Sequence, residues 1–127
     1  MANAPQYAAT PKIGLGQVTA ANTNRDGTGT LVNVYTGGTS GSKILEVTVQ
    51  GTGTTTAGMV RLYIYDGTNN RLFDEFVVSA ITVGASTAAF RVSKTYDNLI
   101  LPSSTYILKA STHNAETFNV YALGGDL

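Results

Sequence analysis

The sequence contains no cysteine and no tryptophan, and only one histidine. Eight Lys and Arg are balanced by eight Asp and Glu, and charged residues make up 13% of the chain, about half the usual share. Each shortage removes a class of function. Without cysteine there is no thiolate nucleophile, no disulfide and no thiolate metal site. One histidine cannot build a multi-histidine metal centre. A neutral chain lacks the basic footprint that phosphate-backbone binding requires, so no nucleic-acid partner is expected. No stretch approaches the ~18 apolar residues of a membrane helix, so no membrane partner is expected either. Met1 to Pro11 carries neither the charge nor the apolar run of a secretory signal, and synthesis in a cytoplasm is the expectation. Low charge with zero net charge is poor for the solubility of a free monomer and points to work in an assembly.

What the sequence does have is 19 Thr, 14 Gly, 9 Asn and 8 Ser, with 43% hydrophobic residues, enough for one core in one domain. Period-two alternation runs along the chain, with no helical period. Strands are predicted at Lys12 to Ala20, Thr30 to Tyr35, Lys43 to Gln50, Met59 to Tyr65, Arg71 to Ser79, Ala88 to Tyr96, Thr105 to Ser111 and Thr117 to Leu123. A short apolar stretch, Leu99 to Pro102, adds a ninth candidate after a turn at Asp97-Asn98. In the first strand Ile13, Leu15 and Gln17 share one face and Gly14 and Gly16 the other, the pattern of a poorly packed edge. In the third, Lys43, Leu45, Val47 and Val49 are expected inside, and Ile44, Glu46, Thr48 and Gln50 outside. Val60, Leu62 and Ile64 are expected inward on the fourth strand. Asp66 to Asn70 reads as a hairpin turn with an Asp66–Arg71 ion pair across it. Eight or nine strands joined by turn signals favour an antiparallel β-sandwich or a closed barrel. An extended arm over residues 1–11 precedes a single domain over residues 12–127.

No catalytic, cofactor or metal site emerges, and the chain is read as non-enzymatic. His113, in Ser111-Thr-His-Asn114, has no activated serine beside it and reads as a turn histidine. Asp74 and Glu75 are sequence neighbours on a strand and so point to opposite faces, unable to flank one sugar ring without a bulge. Asn22-Thr-Asn-Arg-Asp26 alternates like a weak calcium loop, but Asn and Asp also satisfy turn backbone. The glycine-rich loops lack the Gly-Lys-Ser/Thr and the helix start that a phosphate cradle needs. Two surfaces remain as protein-interaction candidates. One is the arm around Pro5, Gln6 and Tyr7, kept extended by proline. The other is the stripe of Arg61, Tyr63 and Tyr65, predicted outward on one strand face. Such a stripe suits a recognition surface, and equally suits a sheet face covered by another sheet of the same subunit. The run from Phe118 to Leu127 keeps its alternation almost to the end, as a docked segment would, on its own core or on a partner.

The chain resembles the small β-sandwich structural proteins that tailed bacteriophages encode near their major capsid gene. The resemblance lies in the cysteine-free Gly/Thr/Asn-rich make-up, in Leu101-Pro-Ser-Ser-Thr-Tyr-Ile-Leu108, and in Ala115-Glu-Thr-Phe-Asn-Val-Tyr-Ala-Leu-Gly-Gly-Asp126. It implies an all-β fold, a single antiparallel, jelly-roll-like β-sandwich of eight to nine strands. It also implies a capsid decoration, or cement, role on the virion surface. The implied partners are the major capsid protein and the chain itself, as a homotrimer, and no contact residues come with the resemblance. The alternative is a glycan- or receptor-binding module of a tail fibre or spike, with tyrosines stacking on sugars.

Overall fold

The computed structural model describes residues 10–127. Eight strands account for the fold: β1 (Thr10–Val18), β2 (Val32–Thr36), β3 (Ser42–Gly51), β4 (Gly58–Tyr65), β5 (Asn70–Val78), β6 (Arg91–Leu101), β7 (Ile107–Thr112) and β8 (Phe118–Asp126). They form two four-stranded antiparallel sheets, ordered β1-β8-β3-β6 and β2-β7-β4-β5. The pairs β1–β8, β2–β7, β3–β6 and β4–β5 are mirror partners about the turn between β4 and β5, as if one long hairpin had been rolled up. The expected β-sandwich is therefore the observed fold. Thr10 and Pro11, assigned to the arm by sequence, are the first residues of β1 and pair with Asp126 and Gly125.

The core lies between the sheets and is built from alternating positions. Val60 and Leu62 of β4, Leu108 and Ala110 of β7, and Val120 and Ala122 of β8 are fully buried, and Phe90 meets Phe118 edge to face at 6.2 Å between ring centroids. The β4–β5 turn forms as its sequence dictates. Gly67 takes a positive φ of 99°, the Asp66 carboxylate accepts from the Thr68 and Asn69 amides, and Arg71 pairs with Asp66 at 3.3 Å.

Three expectations are corrected. On β3, Ile44 rather than Leu45 is buried, because a bulge between Ile44 and Glu46 inserts one residue and reverses the alternation. Val47 and Val49 remain inside as expected, and Thr48 is buried as well. The turn at Asp97-Asn98 does not interrupt the chain. Pairing to β3 skips from Leu99 to Thr95, so a bulge absorbs those residues and Leu99 to Leu101 end β6 instead of forming a ninth strand. On β1 the glycine face is the inward one. A Cβ on Gly14 would collide with the Val34 carbonyl oxygen and lie 2.8 Å from Tyr35 Cβ, and one on Gly16 would lie 2.9 Å from Val34 Cγ2. β1 thus rides closely on β2, with Ile13 and Leu15 turned to the outside.

The C-terminal run docks on its own fold. β8 sits between β1 and β3, and the Leu127 amide donates to the Gly41 carbonyl at 2.9 Å. The Asp126 carboxylate accepts from Ser42 Oγ at 2.6 Å and Tyr35 Oη at 3.0 Å, with Lys12 Nζ 3.4 Å away.

Candidate functional site

The two surfaces expected from sequence fare differently. Pro5, Gln6 and Tyr7 lie outside the described residues. The Arg61, Tyr63, Tyr65 stripe does lie on the outer face of β4, but it is not exposed. Arg61 is 1% and Tyr63 0% accessible, and Tyr65 is half-buried. The cover over Arg61 and Tyr63 is the chain's own β1–β2 loop, residues 19–31, which crosses the outer face of the β2-β7-β4-β5 sheet, while Tyr65 donates to the Gly67 carbonyl and lies under Lys109 Nζ. The cover is a loop of the same chain and not a second sheet.

Asn22 organises that loop. Its amide nitrogen donates to the Thr28 and Thr30 carbonyls at 3.0 Å each, and its Oδ1 accepts from the Asn24 amide at 3.0 Å. Its backbone N–H donates to the Thr112 carbonyl of β7 at 2.8 Å. Every polar group of the Asn22 side chain is thereby used, and Asp26 spends its carboxylate on Thr28, so both satisfy turn backbone. No group of three or more His, Asp or Glu among the described residues is placed to hold a metal ion.

Beneath the loop, strand chemistry and loop chemistry meet in one network. Arg61 Nε donates to Glu75 Oε2 at 2.9 Å, Arg61 Nη1 to the Asn22 carbonyl at 3.2 Å, and Tyr63 Oη to the Asn24 carbonyl at 2.7 Å. Arg25 Nε reaches the same Glu75 oxygen at 2.7 Å. Arg61 Nη2 lies 3.3 Å from His113 Nδ1. A guanidinium only donates, so Nδ1 accepts and the ring hydrogen sits on Nε2. His113 is therefore tied into the network. Glu75 and Asp74 do face opposite ways. Asp74 accepts from Tyr96 Oη at 2.8 Å and Lys94 Nζ at 3.1 Å of β6, closing the side of the sandwich. A shallow groove bordered by Thr23, Arg25, Met59, Val77 and His113 opens beside the loop.

No protein-family model matches the chain, and no curated protein matches its sequence. Among solved structures it is similar to a chain of the cyanophage Pam1 capsid asymmetric unit. The two share 15% identity over 98% of this chain and 91% of that one, with a TM-score of 0.42.

The surface that sequence reasoning missed is the outer face of the other sheet. Ile13 is 49%, Leu15 62% and Leu123 37% accessible. Ile13 pairs with Leu123 and Leu15 with Tyr121 across β1 and β8, so the four side chains form two adjacent rows. Gln17 Nε2 and Asn119 Oδ1, bonded at 2.9 Å, form a third. The signal was present in the alternation of glycine with Ile13 and Leu15. It needed only the inference that glycine sits where backbone must approach backbone.

The ion pairs give the fold a defined acid response. The Arg25 hydrogen bond and, against some burial, Arg61 hold the Glu75 carboxyl below the usual range. Ser42, then Tyr35 and Lys12, do the same for Asp126. Burial alone would raise Asp74, but Tyr96, Lys94 and the Glu75 amide outweigh it and the net shift is downward. With folded values below unfolded ones, the unfolded chain takes up protons first, so acid favours unfolding. This stability is fully present above the ordinary carboxylate range, about pH 4 to 4.5, and is lost as pH falls through and below it. Burial also raises Tyr35 to about 12, so a second loss begins as pH rises past the ordinary tyrosine value near 10. Scanning calorimetry across pH is expected to show a plateau at neutral pH with the unfolding temperature falling on both sides. A profile flat through the acid range would contradict these assignments.

Proposed function

We propose that this chain is a non-enzymatic structural protein of a tailed-phage virion, one that binds the outside of the assembled capsid and stabilises it, working in several copies. The observation that carries the reading is the strand order. A long hairpin rolled into β1-β8-β3-β6 over β2-β7-β4-β5 supports reading the sandwich as an eight-stranded jelly roll, an architecture that viral capsid domains use. It joins the sequence resemblance to phage decoration proteins, and the exposed apolar rows on β1 and β8 add a surface fit for contact. Low charge on such a surface limits the desolvation cost of covering it, and hydroxyl-rich loops supply adaptable hydrogen bonds. Several copies bound together gain avidity from modest individual contacts.

Lectin domains use the same architecture, so a glycan-binding module of a fibre or spike is the reading to test against. Purified protein mixed with shells lacking it is expected to co-sediment at micromolar concentration and to raise the temperature at which the shells break. Failure to co-sediment, together with binding on a glycan array, would replace the proposed role with the glycan one.

A further inference from the structure

The outer face of the β1-β8-β3-β6 sheet spends its polar groups unevenly. On β3, Gln50 uses its amide nitrogen on the Gly51 and Phe90 carbonyls and its oxygen on Arg91. Thr48 shares a hydrogen bond with Ser93 at 2.7 Å. Between β1 and β8, register sets Gln17 opposite Asn119 and Leu15 opposite Tyr121, and side chains directly opposite meet on one face. Gln17 and Asn119 bond to each other at 2.9 Å, and their side chains make no other hydrogen bond among the described residues. Each amide carries one carbonyl oxygen and one NH2 group. Whichever way the two are turned, a single bond between them leaves one oxygen and one NH2 unspent. The Tyr121 hydroxyl also has no partner among the described residues. These groups border one shallow depression of about 340 Å³, lined by Leu15, Gly16, Gln17, Asn119 and Tyr121. That is the small end of the range for small-molecule sites, roughly 300–1,000 Å³. None of the lining side chains is charged.

We propose that this depression binds a neutral pyranose sugar. A pyranose presents a ring face of C–H groups and an edge of hydroxyls. The half-buried Tyr121 ring and the Leu15 side chain, 62% accessible, offer the ring face an apolar platform. The Gln17–Asn119 pair offers the edge an acceptor and a donor side by side. A vicinal diol complements them: one hydroxyl donates to the unspent amide oxygen, and its neighbour accepts from the unspent NH2. The bond between the two amides already restrains both side chains, so less freedom is lost when the sugar binds. An anion finds no cation in this lining, and a purely apolar ligand would strip water from two amides with nothing in return. The inference stands on the lining alone and goes beyond the role on the shell. The Ile13–Leu123 row lies outside the depression and remains available for contact. Many copies on one shell would add weak individual sites into a firm hold on a glycan-coated surface.

Amide chemical shifts of the full chain, without shells, test this. The probes are glucose, galactose, mannose and N-acetylglucosamine, each free and as its methyl glycoside, with glycerol as the control polyol. At least one sugar is expected to shift the signals of residues 15–17 and 119–121 saturably, with a dissociation constant of about 1 mM or weaker, as suits an open site. Gln17→Leu keeps the bulk of an exposed side chain and should weaken binding about tenfold. Tyr121→Ala removes the platform and should weaken it by about tenfold or more, while Leu72→Ala, on β5, should leave it intact. The Gln17 variant reads the site even where the Tyr121 variant folds poorly. Binding of a glycoside, or of the free sugar alone, supports the proposal; the first places the source in a glycan and the second in solution. No saturable shift with any sugar at about 100 mM would overturn it, and so would shifts matched by glycerol or binding insensitive to Gln17→Leu. Shifts at the same residues that grow with protein concentration and block the sugar would also overturn it, by assigning the depression to another copy. Shells play no part in these readouts, so the proposed role stands or falls separately.

Discussion

Replacing Glu75 by alanine is expected to destabilise the fold by about 3 kcal/mol, more than replacing its partner Arg61 by methionine. The asymmetry follows from burial. Arg61 is sealed from water and its side chain is 1% accessible, whereas that of Glu75 is 29% accessible. Removing the carboxylate strands a buried guanidinium whose remaining partners are the Asn22 carbonyl and His113. Removing the guanidinium leaves Glu75 with Arg25 and water, and methionine fills most of the lost volume, so a loss of about 1–2 kcal/mol is expected. Urea unfolding of both variants and of the double variant measures the difference and the coupling. Hydrogen exchange should show residues 19–31 losing protection in Glu75→Ala before the sheets do. Equal losses in the two single variants would mean that the loop is held by hydrophobic contact and not by this pair.

The second large effect concerns the strand that presents the apolar rows. Gly14→Val is expected to cost about 3 kcal/mol, the upper end for forcing bulk into a packed interior. Its Cβ meets a backbone oxygen of Val34, and the Tyr35 Cβ is 2.8 Å away. Neither is the free end of a flexible side chain, so β1 must lift from β2. Leu15→Ala, one residue away on the outer side, should change the stability of a single copy by no more than about 0.5 kcal/mol. The urea midpoints of the two variants test the contrast. A tolerated valine at position 14 would mean that β1 is free to choose its face, and the exposed rows would lose their explanation.

Local chemistry explains which parts of this architecture were legible in the sequence. The β4–β5 hairpin, its Asp66 turn and the inward Val60 and Leu62 follow from residues within a few positions of one another, and the sequence contains all of them. Where a bulge intervenes, the period breaks without a residue that announces it. Leu45 and Ile44 are both aliphatic, and only the pairing with β8 decides which turns inward. Asp97-Asn98 carries turn residues, yet partners on β3 at both ends hold β6 as one strand. The Arg61–Tyr63 stripe was correctly placed on the outer face of β4. Its burial depended on a loop some 40 positions earlier in the chain, whose path is set by Asn22 reaching both Thr112 and Arg61. The alternation on β1 presents its glycine face as a poorly packed edge, because a strand pattern reports only what a glycine lacks. The structure assigns it to close approach, and that reassignment revealed the Ile13, Leu15, Tyr121, Leu123 surface.

The central claim is that this sandwich is a component of the outer capsid surface. Cryo-electron microscopy of phage virions assembled with and without this chain tests this most directly. The expected result is difference density on the outside of the shell, repeated over the capsid lattice and fitted by the two four-stranded sheets. Difference density confined to the tail or its fibres, with an unchanged capsid exterior, would contradict it.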